Sequence, residues 1–191
     1  MEDIILKRIN EHIQTIGLLK DNIKIISCIA DAIINCYKGK NKLILCGNGG
    51  SCCDSMHIAG ELAGRYYINR KSLPALALND SCILTAIGND FGYEFVFEKQ
   101  LEGLIQKGDV VIGISTSGNS PNVLRGIEKA KSMGAITIGF TGEIGGKLKD
   151  YADIVLHILS KDAPRIQEGY MLSAHIICEI VESNLFAKKK C

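Results

Sequence analysis

The sequence predicts an α/β fold, in which a parallel β-sheet carries helices on both faces. Five short apolar runs are suited to buried strands, and helical or loop segments separate each run from the next. The runs span residues 42–46, 73–78, 110–114, 135–140 and 154–158. Strands that alternate with helices form right-handed β-α-β crossovers, and these make neighbouring strands parallel.

Length and composition favour one domain, residues 1–191, with a sizeable core. The chain is 47% hydrophobic and 23% charged, and its net charge is +1. This balance gives no reason to expect a nucleic acid or a membrane as partner. No apolar run approaches the roughly 18 residues that a membrane span needs. The N-terminus mixes charges with isoleucine, so a signal peptide is not expected.

The eight cysteines are scattered, form no CxxC pair and mostly lie in apolar patterns. They predict free thiols in a reducing compartment, and therefore a cytoplasmic protein. Cys52 and Cys53 fall at a predicted helix start, where a thiolate is favoured. A reactive role and a plain role as small side chains both remain open.

Residues 3–37 predict two helices with a break near Gly17, because apolar residues recur there at spacings of three and four. The apolar stripes are wider than one helix face, so further protein surface must pack against them to bury them. Packing within the chain is one explanation. We favour the other, a subunit interface of packed helices. Residues 1–38 would then be a helical extension for oligomer packing, and 39–191 the core.

The loop after the first strand combines two chemical signals. Residues Gly47-Asn48-Gly49-Gly50-Ser51 form a glycine-rich turn that leads into a helix. A helix N-terminus offers free N–H groups and partial positive charge to an anion. His57 and Glu61 lie four residues apart on that helix and so share a face. They are a candidate acid/base or metal pair; the alternative is an ordinary surface or core histidine.

The middle of the chain predicts further short elements between the strands. In order, these are a helix at 81–87, a loop at 88–92, a helix at 94–105, a helix at 122–133 and a loop at 141–146. Ser120 is the predicted N-cap of the 122–133 helix, and Pro121 its first helical residue.

The loop after the third strand is rich in hydroxyl groups: Ser115, Thr116, Ser117 and Ser120 surround a flexible glycine before a helix N-terminus. Hydroxyls, backbone N–H groups and the helix dipole together suit a phosphate monoester. The alternative is a Ser/Thr-rich turn with a capping role. The nucleotide-binding patterns GxxxxGK[ST] and GxGxxG are absent from the chain.

The last predicted helix, residues 165–186, carries Gln167 and, within an apolar run, His175. The two lie eight residues apart, which is roughly 12 Å along a straight helix. They can meet at one point only if the first turn is irregular or the side chains lean together. Alternatively, subunits share the site.

Five stretches of this sequence, in order, carry a resemblance to a known family. They read CGNGGS at 46–51, DxxHxxxELxGR at 54–65, AIGNDFGYEFVF at 86–97, GDVVIGISTSGNSPNVL at 108–124 and RIQEGYMLSAHIICEIVE at 165–182. The chain resembles the SIS (sugar isomerase) family of phosphosugar-binding proteins and, within it, the phosphoheptose isomerases. The resemblance begins near residue 40, and the N-terminal helices also fit.

The resemblance implies a five-stranded, flavodoxin-like three-layer sandwich and a homotetramer with active sites at subunit interfaces. It implies catalysis by Glu61 and His175. It implies one zinc ion per subunit, held by His57, Glu61, Gln167 and His175. The implied substrate-binding residues are Asn48, Gly49, Gly50, Ser51, His57, Glu61, Asn89, Asp90, Ser115, Thr116, Ser117, Ser120 and Gln167.

The implied reaction converts D-sedoheptulose 7-phosphate to D-glycero-D-manno-heptose 7-phosphate through an enediol, the first step of activated-heptose biosynthesis. Such an isomerisation needs a carboxylate base and a second acid/base group. Two alternatives remain: a non-catalytic SIS protein that senses phosphosugars or binds a replication initiator, and an isomerase of another ketose phosphate. Retention of Glu61, Gln167 and His175 argues against the first. Cys52 and Gly60 depart from the family's usual pattern at positions without an implied role.

Overall fold

The computed structural model describes residues 1–187, and it contains one five-stranded parallel sheet. The strands are β1 (Leu43–Gly47), β2 (Ala75–Ala77), β3 (Val110–Ile114), β4 (Ile136–Gly142) and β5 (Ile154–Ile158). They lie in the order β2-β1-β3-β4-β5, and every neighbouring pair is parallel. The predicted fold class is confirmed. From β1 the next strand in the chain, β2, is added on one side, and β3 to β5 are added on the other. Doubly wound folds bind ligands at such a switch point, here between β1 and β3.

Helices precede, connect and follow the strands. They are α1 (Glu2–Gly17), α2 (Ile23–Lys38), α3 (Gly50–Ala63), α4 (Ser81–Phe91), α5 (Val96–Leu104), α6 (Pro121–Ser132), α7 (Leu148–Tyr151) and α8 (Ala163–Phe186). Short 3-10 turns at Leu18–Asn22 and Tyr93–Phe95 link α1 to α2 and α4 to α5. None of the helices within residues 1–187 has the length and apolar character that a membrane crossing requires.

The two faces of the sheet carry separate apolar cores. Along β1, Leu43 and Leu45 belong to the core under α2, α3 and α8. The alternate residues Ile44 and Cys46 belong to the core under α5, α6 and α7. Successive strand side chains point to opposite faces, so a strand covered on both sides is apolar throughout. This is why the strands appear in the sequence as continuous apolar runs.

Helices α3 and α8 pack side by side and run in the same direction. Each follows a strand of the parallel sheet and returns along the same face. Gln167 near the start of α8 lies against Gly50 at the start of α3. About two helical turns further along α8, His175 contacts His57 on α3. This pairing of two distant helices builds the candidate site described below.

The N-terminal helices differ in how far the chain itself covers them. In α2, Ile29 and Ile33 are buried under α8 and the sheet. In α1, Ile5, Ile9 and Ile13 are 53%, 50% and 60% exposed. Packing within the chain therefore covers most of the stripe of α2, except Ile23 at its start, and leaves the stripe of α1 uncovered.

The prediction of a loop at 88–92 is wrong. Helix α4 continues to Phe91, and Asp80 caps its start by accepting a hydrogen bond from the Ile83 N–H at 3.0 Å. Gly88 is accommodated inside the helix, which ends only where Gly92 adopts a φ of +105°. Asn89 and Asp90 therefore lie on the last turn of a helix.

Other boundaries also shift. Strand β4 extends to Gly142, inside the predicted loop at 141–146, and the short helix α7 was not predicted. Ser120 holds the N-cap position of α6 with Pro121 next to it, as expected, but its hydroxyl makes no capping hydrogen bond. That hydroxyl lies 3.0 Å from the Ser115 hydroxyl instead.

Candidate active site

Two loops leave the carboxyl edge of the sheet side by side. Gly47, the last residue of β1, pairs with Ile114, the last residue of β3. The glycine-rich loop and the hydroxyl loop therefore emerge from adjacent strands at the point where the strand order reverses. Sequence spacing alone could not show this adjacency, because β2 lies between these strands in the chain.

Two glycines of the glycine-rich loop lie in close contact with their surroundings. A Cβ on Gly47 would lie 2.7 Å from the Ser51 carbonyl oxygen. A Cβ on Gly50 would meet the flexible end of the Gln167 side chain, which would have to move. Between them, Gly49 adopts a φ of +54°. The turn thus brings Gln167 of α8 onto the N-terminus of α3.

Asn48 is fixed by a residue that sequence reasoning missed. Its side-chain amide exchanges two hydrogen bonds, of 2.9 and 2.8 Å, with that of Asn122. Asn122 is 2% exposed and lies in the first turn of α6. The Tyr93 hydroxyl also donates to the Asn48 Oδ1, at 3.1 Å. An asparagine directly after the hydroxyl loop was the available signal, and its side chain links the two loops.

The hydroxyl loop forms a compact polar turn. The Ser115 hydroxyl lies 3.0 Å from that of Ser120 and 3.5 Å from that of Ser117. Gly118 has a φ of +66° and lies so close to Gly145 that a side chain would not fit. A cavity of about 270 Å³ adjoins this turn. Its polar lining includes Thr116, Ser117, Asn119, Glu143, Ser160 and Lys161.

Further along α3, three ionisable side chains converge. His57 Nε2 lies 3.1 Å from Glu61 Oε1, one helical turn away. His175 reaches them from α8, with its Nε2 3.2 Å from His57 Nε2. The side chains of His57 and Glu61 are 48% and 26% exposed. The group is therefore open to solvent and to a ligand.

The spacing of these three groups suits a metal ion. One ligand atom from each of His57, Glu61 and His175 lies within 4.8 Å of the others. Tetrahedral zinc with bonds of about 2.0–2.1 Å separates its ligand atoms by about 3.3 Å. The measured 3.1 and 3.2 Å separations are close to that value. The donor set of imidazole and carboxylate also fits zinc.

Gln167 does not join this group within one chain. Helix α8 is continuous from Ala163, so Gln167 and His175 remain about two turns apart. The Gln167 amide lies at Gly50, between the glycine-rich loop and the three-residue group. Its assignment as fourth metal ligand stays a prediction.

Asn89 and Asp90 are exposed at the end of α4 and hydrogen-bond to each other, with Asn89 Nδ2 donating to Asp90 Oδ1 at 2.9 Å. Ser51 is buried at the start of α3, where its carbonyl accepts from the Ser55 hydroxyl at 2.8 Å. The implied roles of these residues in substrate binding stay predictions.

Asp54 is a second residue without a predicted role. Its Oδ2 is buried and has no hydrogen-bond partner within residues 1–187, and the same holds for the hydroxyl of buried Tyr170. Burial raises the pKa of Asp54 to about 6, which a charge on nearby His57 would partly oppose. Asp54 precedes His57 by three residues on α3, so its helical spacing was the available signal.

The fold and this geometry define a class: an α/β protein with a glycine-rich loop and a hydroxyl loop at the carboxyl edge of its sheet, and a His–Glu–His group on the paired helices α3 and α8. The chain belongs to the SIS-domain family, whose family model matches residues 9–142. Within that family it belongs among the phosphoheptose isomerases, as its relatives indicate.

A phosphoheptose isomerase from Clostridium acetobutylicum is 48% identical over 175 residues, which cover 90% of this chain and 89% of the relative. One from Nitratiruptor sp. is 47% identical over 186 residues, covering 96% and 100%. The solved structure of phosphoheptose isomerase GmhA from Neisseria gonorrhoeae superposes with a TM-score of 0.91 at 34% identity. That match covers 95% of this chain and 98% of the other.

Proposed function

We propose that this chain is an aldose–ketose isomerase that converts D-sedoheptulose 7-phosphate to D-glycero-D-manno-heptose 7-phosphate. This would be the first step of activated-heptose biosynthesis. The observation that carries the proposal is the approach of His175 to the His57–Glu61 pair, on the helix that follows the glycine-rich loop. Relatives that are 45–48% identical and are named phosphoheptose isomerase support the choice of substrate.

Glu61 and His175 would divide the proton transfers. The Glu61 carboxylate removes a proton from C1 of the ketose, and the electron pair forms the enediol double bond between C1 and C2. His175 moves protons on the oxygens, supplying O2 and accepting from O1. Return of the proton to C2 then gives the aldose. One ligand atom of Glu61 and one of His175 lie within 4.8 Å of each other.

The phosphate would lie in the hydroxyl loop. Ser115, Thr116, Ser117 and Ser120 offer donors beside the N-terminus of α6, whose dipole favours an anion. The glycine-rich loop, with Asn48 held by Asn122, would face the sugar chain together with Gln167.

We infer zinc as a cofactor, with His57, Glu61 and His175 as ligands and Gln167 as the implied fourth. Glu61 and His175 would each bind the ion through one atom and would keep a second oxygen or ring nitrogen for the proton transfers. A bound zinc ion would polarise the substrate carbonyl as a Lewis acid. Elemental analysis should find about one zinc per chain, and treatment with a strong chelator should lower turnover. Full activity in a protein free of metal would end this assignment.

We further infer that the whole chain acts as one cytoplasmic domain that assembles into a homotetramer with active sites at subunit interfaces. The exposed isoleucines of α1 support this inference. So does a largely apolar cavity of about 410 Å³, whose apolar lining is Ile16, Leu19, Ile23, Ile26, Leu172, Ile176 and Ile180 and whose polar lining is Lys20 and Ser27. Light scattering on purified protein should give four times the chain mass, and a monomer would contradict the assembly.

An NMR time course of the purified protein tests the reaction. With sedoheptulose 7-phosphate we expect the aldose to appear, and in D₂O deuterium should enter at C2. Fructose 6-phosphate in a parallel sample tests the isomerase of another ketose phosphate. Binding of sedoheptulose 7-phosphate without turnover would overturn the proposal and favour a non-catalytic SIS protein.

A further inference from the structure

The segment that follows α3, residues 64–71, is held on α8 by a buried ion pair. Arg70 Nε lies 2.8 Å from Glu182 Oε1, and each side chain is only 1% exposed. Glu182 belongs to the last two turns of α8. A buried pair of this kind persists only when its remaining hydrogen-bonding groups are also satisfied. Both partners meet this condition here.

Glu182 binds the backbone of the segment directly. Its Oε1 accepts from the Tyr66 N–H at 2.9 Å, and its Oε2 accepts from the N–H groups of Tyr67 and Ile68 at 2.6 and 2.8 Å. Burial by itself would raise the pKa of Glu182, but these hydrogen bonds and Arg70 outweigh it, so the pKa falls below its usual value. The carboxylate therefore stays charged and keeps the three N–H groups in place.

Arg70 extends the contact back to α3. Its guanidinium donates to the carbonyl oxygens of Leu62, Gly64 and Lys71, at 2.8, 3.1 and 3.1 Å. It also donates to the carbonyl oxygen of Glu61 at 3.0 Å. The ion pair thus reaches the backbone of the proposed base as well as the segment that follows it.

Tyr66, whose backbone Glu182 holds, contacts the proposed catalytic residue His175 through its side chain. Its ring lies over the His175 ring, with centroids 5.9 Å apart and planes inclined by 24°. The His175 ring also meets His57, at a centroid distance of 5.1 Å. The orientation of His175 is therefore set by its contact with His57 and by stacking on Tyr66.

We propose that Tyr66 is a positioning residue for His175, and that the Arg70–Glu182 pair holds Tyr66 in place. The inference rests on the proposed function, in which His175 moves protons. A proton transfer group must point at its target, and a displacement of about 1 Å can cost about 100-fold in rate. Tyr66 acts only through the orientation of His175, so its loss should lower kcat and leave binding of the phosphate unchanged.

The test compares Tyr66→Leu, which removes the stacked ring, with Tyr66→Phe, which keeps it. We expect Tyr66→Leu to lower kcat by roughly tenfold or more with KM within about twofold. Tyr66→Phe should retain kcat within about twofold. Tyr151→Leu, a partly buried tyrosine on the other face of the sheet, is the matched control and should behave as the parent protein.

Two results would overturn the inference: an unchanged kcat in Tyr66→Leu, or an equal loss in Tyr66→Phe and Tyr66→Leu. If Tyr66→Leu does not fold, Tyr66→Met replaces it under the same criteria. Failure of both to fold would show that Tyr66 is structural, and would also overturn the proposal. A direct readout is the NMR shift of the His175 ring protons, which should move in Tyr66→Leu because the ring current of Tyr66 is lost.

His175→Gln separates this inference from the proposed function. If His175→Gln retains turnover, the catalytic role of His175 is wrong, and the role of Tyr66 ends with it. If His175→Gln is inactive while Tyr66→Leu keeps its kcat, the proposed function stands and only the inference about Tyr66 fails.

Discussion

Two polar clusters lie along the paired helices α3 and α8, and they differ in how far their hydrogen bonds are satisfied. At Arg70–Glu182 both side chains are 1% exposed, and both oxygens of the carboxylate have donors. At His57–Glu61–His175 the three side chains mostly contact one another, and the His57 side chain is 48% exposed.

This difference indicates that the Arg70–Glu182 cluster stabilises the structure, while the His57–Glu61–His175 cluster is available for reaction. A saturated buried ion pair has no capacity left for a ligand, but losing one partner leaves an uncompensated charge. An open cluster contributes little to stability and keeps free lone pairs and donors. Substitutions in the first cluster should therefore change stability, and substitutions in the second should change turnover.

Glu61→Gln should give the largest effect. An amide cannot accept the substrate proton, so we expect kcat to fall by roughly 10³-fold while sugar phosphate binding persists. NMR turnover assays and calorimetric binding measure the two quantities. Glu179→Gln, on the exposed side of α8, is the control. Turnover near the parent level would remove Glu61 as the base.

Glu182→Gln should lower the free energy of unfolding by about 3 kcal/mol at pH 7, because Arg70 remains buried without its charge partner. The pKa of Glu182 is lowered in the folded protein, so its charge contributes stability above the ordinary value of 4.5. That contribution disappears as pH falls through the lowered pKa, and the gap between parent and variant should narrow there.

Denaturant unfolding at several pH values checks the Glu182→Gln prediction. Glu128→Gln on the exposed surface of α6 should differ from the parent by less than about 0.5 kcal/mol. A gap that stays constant from pH 7 to pH 3 would contradict the assigned role of the carboxylate.

Ser117→Ala and Ser120→Ala should have a smaller effect, on binding. Loss of one hydroxyl that donates to a charged phosphate costs about 1.5 kcal/mol, which is roughly tenfold in KM. Steady-state kinetics should show kcat changed less than KM. Ser132→Ala at the end of α6 is the control. An unchanged KM in both loop variants would be incompatible with phosphate binding there.

Gly60→Ala should have the smallest effect of these substitutions, and it should stabilise the folded protein. Nothing lies within 4 Å of a Cβ placed there, and the residue is inside α3. Alanine is favoured over glycine in a helix by about 0.5–1 kcal/mol, so thermal unfolding should occur a few degrees higher. Gly50→Ala, where the flexible end of the Gln167 side chain would have to move away, should gain less stability than Gly60→Ala; equal effects of the two variants would refute this contrast.

Boundaries near glycine show where sequence reasoning was weakest. Asn89 and Asp90 were placed in a loop because Gly88 and Gly92 flank them, but only Gly92 has a positive φ. Asn122 and Asp54 were given no role, although Asp54 begins the 54–65 stretch that carries the family resemblance. Their significance comes from burial and from partners far along the chain, such as Asn48, 74 residues away.

The sequence by itself determined the parallel sheet, the two loops at its edge and the His57–Glu61 pair, because strand burial, glycine turns and helical spacing are short-range effects. Only the tertiary structure decided that α8 lies parallel to α3 and brings His175 to His57 across 118 residues. It also placed Gln167 at Gly50, since a straight helix keeps residues eight apart at separate levels. Packing of distant apolar faces sets such alignments, and no local pattern encodes them.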